Sequence, residues 1–142
     1  MEAQRISAPQ DLEAAFAIRH KVFVEGQHVP AEAEHDTYDA EGATHYLART
    51  ADGTPCGAAR WRKTDAGVKL ERFAVLTEYR SQQAGAALLK QVLEDVDAIW
   101  PGAVVYLNAQ LPAVRFYERH GFEKVGEMFE ECDIQHYKMV RQ

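Results

Sequence analysis

The chain is poor in the features that mark special environments. It holds only two cysteines, Cys56 and Cys132, far apart and in no metal or redox spacing, which excludes a disulfide scaffold and a zinc or dithiol motif. No apolar run approaches the length that crosses a bilayer, so a membrane-spanning helix is not expected. The opening MEAQRISAPQ lacks the basic-then-apolar order of a signal peptide, and with two lone thiols this points to a reducing, cytoplasmic setting. Basic residues are in the minority. Sixteen Lys and Arg against 22 Asp and Glu give a net charge of -6, which argues against nucleic acid as a partner, because that needs a basic face to displace counterions. Repeats and low-complexity tracts are absent, and His28, Glu34, His35 and Asp36 match no established metal spacing. What remains is one soluble globular domain over residues 1–142, large enough to bury a real core.

The most informative stretch is Lys69 to Lys90, KLERFAVLTEYRSQQAGAALLK. Phe73, Ala74 and Val75 are consecutive apolar residues, which point to both faces of a strand and so predict burial on both sides. A polar turn, Thr77 to Gln83, carries one basic residue, Arg80. From Gly85 onward, Ala86, Ala87, Leu88, Leu89, Val92, Leu93, Val96 and Ile99 form an apolar stripe at helical spacing. A buried strand, a basic turn and a helix N-terminus make a ready anion site, since the first N–H groups of a helix lack partners and its dipole favours negative charge.

Around this stretch the chain reads as α/β. A short strand near Ala3–Ile6 precedes Ser7, with Gln10 at capping-box spacing. The helix that follows should bury Leu12, Phe16, Val22 and Phe23 and turn Arg19 and Lys21 outward. From Val24 to Gly42 an acidic, Gly- and Pro-containing segment predicts a short helix and a loop at a pocket mouth. Thr44–Thr50, Cys56–Lys63 and Val68–Leu76 form a three-stranded meander through turns at Asp52-Gly53 and Asp65-Ala66-Gly67. Pro101-Gly102 stops the long helix, and Val104–Asn108 returns parallel to the third strand of the meander through that helical crossover. Pro112 opens a helix with Ala113, Phe116 and Tyr117 inward, closed by Gly121. Phe122–Phe129 and Gln135–Val140 finish a mixed, mostly antiparallel sheet with flanking helices.

In VVYLNAQLPAVRFYERHGF, Asn108 ends a strand and Tyr117 lies on the next helix. If the parallel strands at Val75 and Asn108 splay apart, a ligand can enter between their C-terminal ends and pair with the freed backbone groups. Arg60, Trp61, Arg62 and Arg72 cluster on adjacent strands, to bind an anion or, as the reading favoured here, to pair with the acidic loop. Exposed edge strands offer a route to a homodimer.

KLERFAVL, RSQQAG and NAQLPAVRFYERHGF together resemble the GNAT superfamily of acetyl-CoA-dependent N-acyltransferases. KVFVEGQHVPAEAEHD and GAARWR are similar to its small bacterial YjcF/ElaA-like branch, so the resemblance spans almost the whole chain. It implies acetyl-CoA as cosubstrate, with the pantetheine arm along Phe73, Ala74 and Val75. The pyrophosphate would lie on the amides of Arg80, Ser81, Gln82, Gln83, Ala84, Gly85 and Ala86, and Asn108 would complete the cofactor site. The acceptor would be a primary amine, of a small molecule rather than a protein. Gln83 stands where the family turn carries its first glycine, which costs roughly 1 kcal/mol if the turn needs a left-handed backbone. The turn in the glyphosate-acetylating members is similar in lacking that glycine. The family role of a tyrosine at the position of Tyr117 is to protonate the departing thiolate, work a phenol can do. Two bases compete. Glu71, two residues from Phe73, is expected on the same face. His136, in I-Q-H-Y-K-M, resembles the H-x-x-M of the glyphosate-acetylating members, and an imidazole titrates near neutral pH. Neither cysteine falls in the strand-gap motifs, which favours direct attack by the amine. A noncatalytic acyl-CoA-binding module is the rival reading.

Overall fold

The computed structural model describes residues 1–80 and 82–142. A seven-stranded sheet runs through it in the order β1-β2-β3-β4-β5-β7-β6. β1 is Glu2–Arg5 and β2 Thr44–Arg49. β3 is Pro55–Thr64, β4 Gly67–Val75 and β5 Val105–Gln110. β6 is Phe122–Glu131 and β7 Ile134–Arg141. Every neighbouring pair is antiparallel except β4 and β5. The mixed sheet is the one read from the sequence. The crossover through α3, Ala84–Ile99, makes that one pair parallel, because a helical return brings the chain back in the same direction.

α3 packs on one face of the sheet through Ala84, Leu88, Leu89, Val92 and Val96, all at 0% exposure. Its apolar stripe ends there. Ile99, expected inside, is exposed at the last position of the helix. The opposite face takes α1, Pro9–Arg19, whose Ala15 and Ile18 pack with Val22 on Leu47, Ala58 and Ala74. α1 begins at Pro9, one turn-setting residue at the position where a missing N–H is harmless, with Ala8 extended before it and no side-chain cap. The Ser7–Gln10 capping box is therefore not formed. Beyond Arg19 the chain continues as one π-helical turn, His20–Glu25, then α2, Ala31–Glu34. α4, Val114–Arg119, follows a short turn at Leu111–Ala113 that contains Pro112.

Arg19 departs from expectation. It is buried, at 1% exposure: the spacing Ala15–Arg19–Val22 allows it on the inward stripe of its helix, and acidic partners meet it there. Its Nε donates to the Glu34 carboxylate at 2.7 Å, and its Nη atoms donate to both oxygens of Asp39 at 2.7 and 2.9 Å. Arg60, equally buried, donates to Asp36, Asp39 and Glu71. Arg62 bonds Glu71 and lies over the Tyr38 ring, and Arg72 bonds Glu34 and Asp36. Arg60 and Arg72 thus pair with the acidic loop, whereas Arg62 pairs with Glu71 of β4. Buried charges need such complete pairing, since each would otherwise forfeit its hydration. The network clamps the segment 31–39 against β3 and β4.

Candidate active site

β4 and β5 pair only at Val68–Val105, Lys69–Tyr106 and Leu70–Leu107. Beyond Leu70, β4 stays with β3 and β5 turns to β7, so the two strands part into a wedge. The local cause is a bulge. Between Arg60 and Ala58 on β3, one residue intervenes, whereas two, Arg72 and Phe73, lie between their partners Glu71 and Ala74 on β4. Arg72 takes up the extra length at φ 58°. A bulge bends its strand and ends regular pairing.

The bulge also breaks the two-residue alternation. Phe73 packs with the α3-side core and meets Tyr117 edge to face at 6.3 Å. Glu71 instead bonds Arg60 and Arg62 beside the acidic loop. The expected shared face of Glu71 and Phe73 is thus lost, although both residues line the wedge.

The wedge holds a cleft of about 310 Å³, lined by Phe73, Ala74, Val75, Arg80, Asn108, Tyr117, Glu71 and His136 among others. Eight residues singled out from the sequence therefore converge on one cavity. Gln82 to Ala86 lie outside its lining. Gln82 and Gln83 are exposed before α3, Ala84 is buried in the core, and Gly85 and Ala86 are half-buried in the first helical turn. Ser81 lies outside the described residues. Gln83 is left-handed at φ 69°, ψ 17°, so the turn does adopt the conformation that favours glycine. Arg80 donates from Nε to the Val75 carbonyl at 3.0 Å, tying the turn to the end of β4.

The chemistry of the three candidate side chains differs. Tyr117 is 7% exposed; burial alone raises its pKa above the ordinary phenol value, so it stays protonated. Its hydroxyl has no hydrogen-bond partner among the described residues. His136 stacks on Phe129 with centroids 5.6 Å apart, and Nδ1 lies 2.7 Å from the Ile134 carbonyl. A carbonyl only accepts, so the proton belongs on Nδ1 and the Nε2 lone pair is left open. Glu71 is a spent carboxylate. Burial would raise its pKa, but the charge and hydrogen bonds of Arg60, with Arg62 and Lys69, hold it below the ordinary range.

Two contributions were not legible. Gln27, after the π-helical turn, and Gln110, at the end of β5, exchange amide hydrogen bonds of 3.0 and 2.8 Å at the rim. They are 83 residues apart and carry no sequence signal. Cys132 also lines the cleft, although it sits in no motif of the strand gap.

A mixed sheet whose one parallel pair parts at a bulge, with Tyr117 in the wedge between the strands, agrees with the acyltransferase class that the comparisons show. The family model described as an acetyltransferase (GNAT) domain matches residues 6–142, and the chain belongs to that family. It is 37% identical over 142 residues to the uncharacterized N-acetyltransferase YjcF of Bacillus subtilis (strain 168), covering 99% of each chain. Against the protein ElaA of Escherichia coli (strain K12) it is 31% identical over 134 residues, covering 92% of this chain and 87% of that one. The crystal structure of E. coli ElaA superposes with a TM-score of 0.87 at 30% identity over 99% of both chains. An acyl-CoA N-acyltransferase from Pseudomonas aeruginosa gives 0.87 at 27% identity over the full length of both. Among the described residues, no helix is long and apolar enough to cross a membrane.

Proposed function

We propose that this acetyltransferase moves the acetyl group of acetyl-CoA directly to a primary amine of a small molecule. The observation that carries the reading is Tyr117, a buried side chain lining the wedge between β4 and β5, whose hydroxyl has no hydrogen-bond partner among the described residues. The parted strands offer backbone groups at Phe73, Ala74, Val75 and Asn108 to an amide-bearing pantetheine arm. Arg80 and the first N–H groups of α3 suit the pyrophosphate, for which helix dipole and charge act together. The same fold supports this use: an aminoglycoside 6'-N-acetyltransferase complexed with coenzyme A superposes with a TM-score of 0.75.

In this scheme the amine loses a proton to His136 Nε2, directly or through water, and attacks the thioester carbonyl. Collapse of the tetrahedral adduct expels the CoA sulfur, which takes the Tyr117 proton. His136 is preferred to Glu71 because its lone pair is open, whereas the Glu71 oxygens already accept from Arg60 and Arg62. A cleft of about 310 Å³, shared with the end of the pantetheine arm, suits a small amine.

The thermal midpoint with and without acetyl-CoA tests cofactor binding. Ligand at about 100 times its Kd stabilises the fold by roughly 2.7 kcal/mol, enough to raise the midpoint by several degrees. Release of CoA thiol on adding primary amines then separates an enzyme from a noncatalytic acyl-CoA-binding module. No shift at millimolar acetyl-CoA would end the proposal.

A further inference from the structure

Between α1 and α2 the backbone leaves regular geometry at three points. The π-helical turn His20–Glu25 comes first, a local form that recurs at functional sites. Gly26 follows, where a Cβ would stand 2.6 Å from the Val22 carbonyl oxygen, a clash that glycine avoids. His28 is left-handed at φ 60°. The residue that these features present is Gln27, whose side chain lines the cleft.

Across the cleft, Gln110 closes β5. In the β5–β7 register it stands opposite His136, and residues so opposed hold their Cβ atoms about 4.5–5.5 Å apart on one face. Both side chains line the cleft. Gln27 and Gln110 meet there amide to amide, each donating to the other's oxygen, at 3.0 and 2.8 Å. That exchange uses one N–H and one oxygen lone pair of each, and a primary amide has two of both. Each glutamine therefore keeps one donor and one acceptor, both neutral, beside the imidazole. The cationic side chains of the lining are engaged within the protein. Lys69 lies 3.4 Å from Glu71. Arg72 donates to the Glu34 and Ala33 carbonyls at 3.1 and 3.2 Å, and Arg80 to the Val75 carbonyl. Glu131 adds a negative charge to the same lining.

We propose that Gln27 and Gln110 determine the acceptor, selecting an amine that carries a neutral carboxamide within a few bonds of its nitrogen. The inference rests on the acetyl-CoA reading above and names the substrate class for that site. A carboxamide offers an N–H to a glutamine oxygen and a carbonyl to a glutamine N–H, so it matches the pair donor for acceptor. A carboxylate only accepts. It would set its oxygens against the glutamine oxygens and the charge of Glu131, while the cations of the lining are already engaged; such unpaired and like-charged contacts reject a competitor. A plain alkyl chain leaves the spare amide groups without a partner once it displaces water, which costs binding. Because Gln110 faces His136 across the strand pair, a carboxamide held by the glutamines keeps its amine beside the imidazole.

The test measures kcat/KM by CoA release for glycinamide and β-alaninamide, for the free acids glycine and β-alanine, and for propylamine. Rates are referred to the free-base concentration of each amine. The full chain is compared with Gln27→Met and Gln110→Met, and thermal midpoints are taken with and without acetyl-CoA. The expected result is a preference of at least about tenfold for one of the carboxamides over its acid and over propylamine. Each methionine variant should bring that ratio close to one, through the KM of the carboxamide, while acetyl-CoA still raises its midpoint. Gln27→Glu, of the same shape but without amide donors, gives the same reading should a methionine variant not fold. If acetyl-CoA raises the midpoint but no carboxamide is preferred, or the preference survives in either variant, the inference is overturned and the acyl-CoA reading stands. Cofactor binding without CoA release from any of these amines also overturns it. If the midpoint does not move, the acyl-CoA reading falls and the inference with it.

Discussion

Replacing Gln83 by glycine should stabilise the protein. Gln83 sits at φ 69°, ψ 17°, immediately before α3, where the Cβ of an L-residue crowds the backbone at a cost of about 1–2 kcal/mol. Glycine removes that strain, but it widens the conformational freedom of the unfolded chain, an opposing effect of roughly 0.4–1 kcal/mol. The difference leaves a net gain of about 0.5–1 kcal/mol, or some 2–4 °C in thermal midpoint for a chain of this size. The exposed Gln83 side chain makes no hydrogen bond among the described residues, so its loss subtracts little. Urea unfolding followed by circular dichroism measures the change directly. Gln83→Ala is the control: it shortens the side chain, keeps the Cβ, and should give no gain. If glycine destabilises by about 1 kcal/mol, or alanine stabilises as much as glycine, backbone strain at this position is not the cause. Repeating the acetyl-CoA midpoint on the glycine variant reports whether the long side chain also hinders the pyrophosphate.

Tyr117→Phe should lower turnover by about a hundredfold or more, the typical worth of a positioned acid, with the KM for acetyl-CoA unchanged; steady-state CoA release checks this, and an unaltered kcat refutes the assignment. His136→Ala should remove the acid limb of the kcat/KM profile, whereas Glu71→Gln should lower stability while leaving that limb in place; the reverse pattern would make Glu71 the base. Asp39→Asn leaves Arg19 and Arg60 short of a buried partner and should destabilise by about 3–5 kcal/mol in urea unfolding. The same network sets the acid response. Arg60 holds Asp36 below the ordinary carboxylate range; for Asp39 burial acts the other way, but Arg19 and Arg60 prevail. Folded-state values below the unfolded ones mean that their stabilisation is complete above about pH 4 and is lost as pH falls further. Unfolding free energies measured between pH 7 and 3 should drop in that lower range, and a flat profile would show that the ion pairs contribute nothing.

The sequence alone determined the order of elements and the parallel pair, because these depend on local pattern, and the resemblance of its motifs to the family marked the residues that line the cleft. Consecutive apolar residues at Phe73–Val75, helical spacing from Ala86 to Ile99 and the stop at Pro101-Gly102 each report on their own neighbourhood. The restricted crossover set the direction of the strand that carries Asn108, whereas the roles of Asn108 and Tyr117 came from the resemblance of NAQLPAVRFYERHGF to the family. Only the tertiary structure decided the rest. One extra residue in β4 reversed the relation between Glu71 and Phe73, and no single-strand periodicity reveals a bulge that exists relative to a partner strand. Arg19 turned inward because acidic residues 15 and 20 positions later folded over it, a pairing that local spacing allows but does not select. Cys132 joined the cleft because a two-residue turn carried it there. Long-range charge pairing and strand register are properties of the assembled sheet, where the free energy of burying a charge depends on what arrives from elsewhere in the chain.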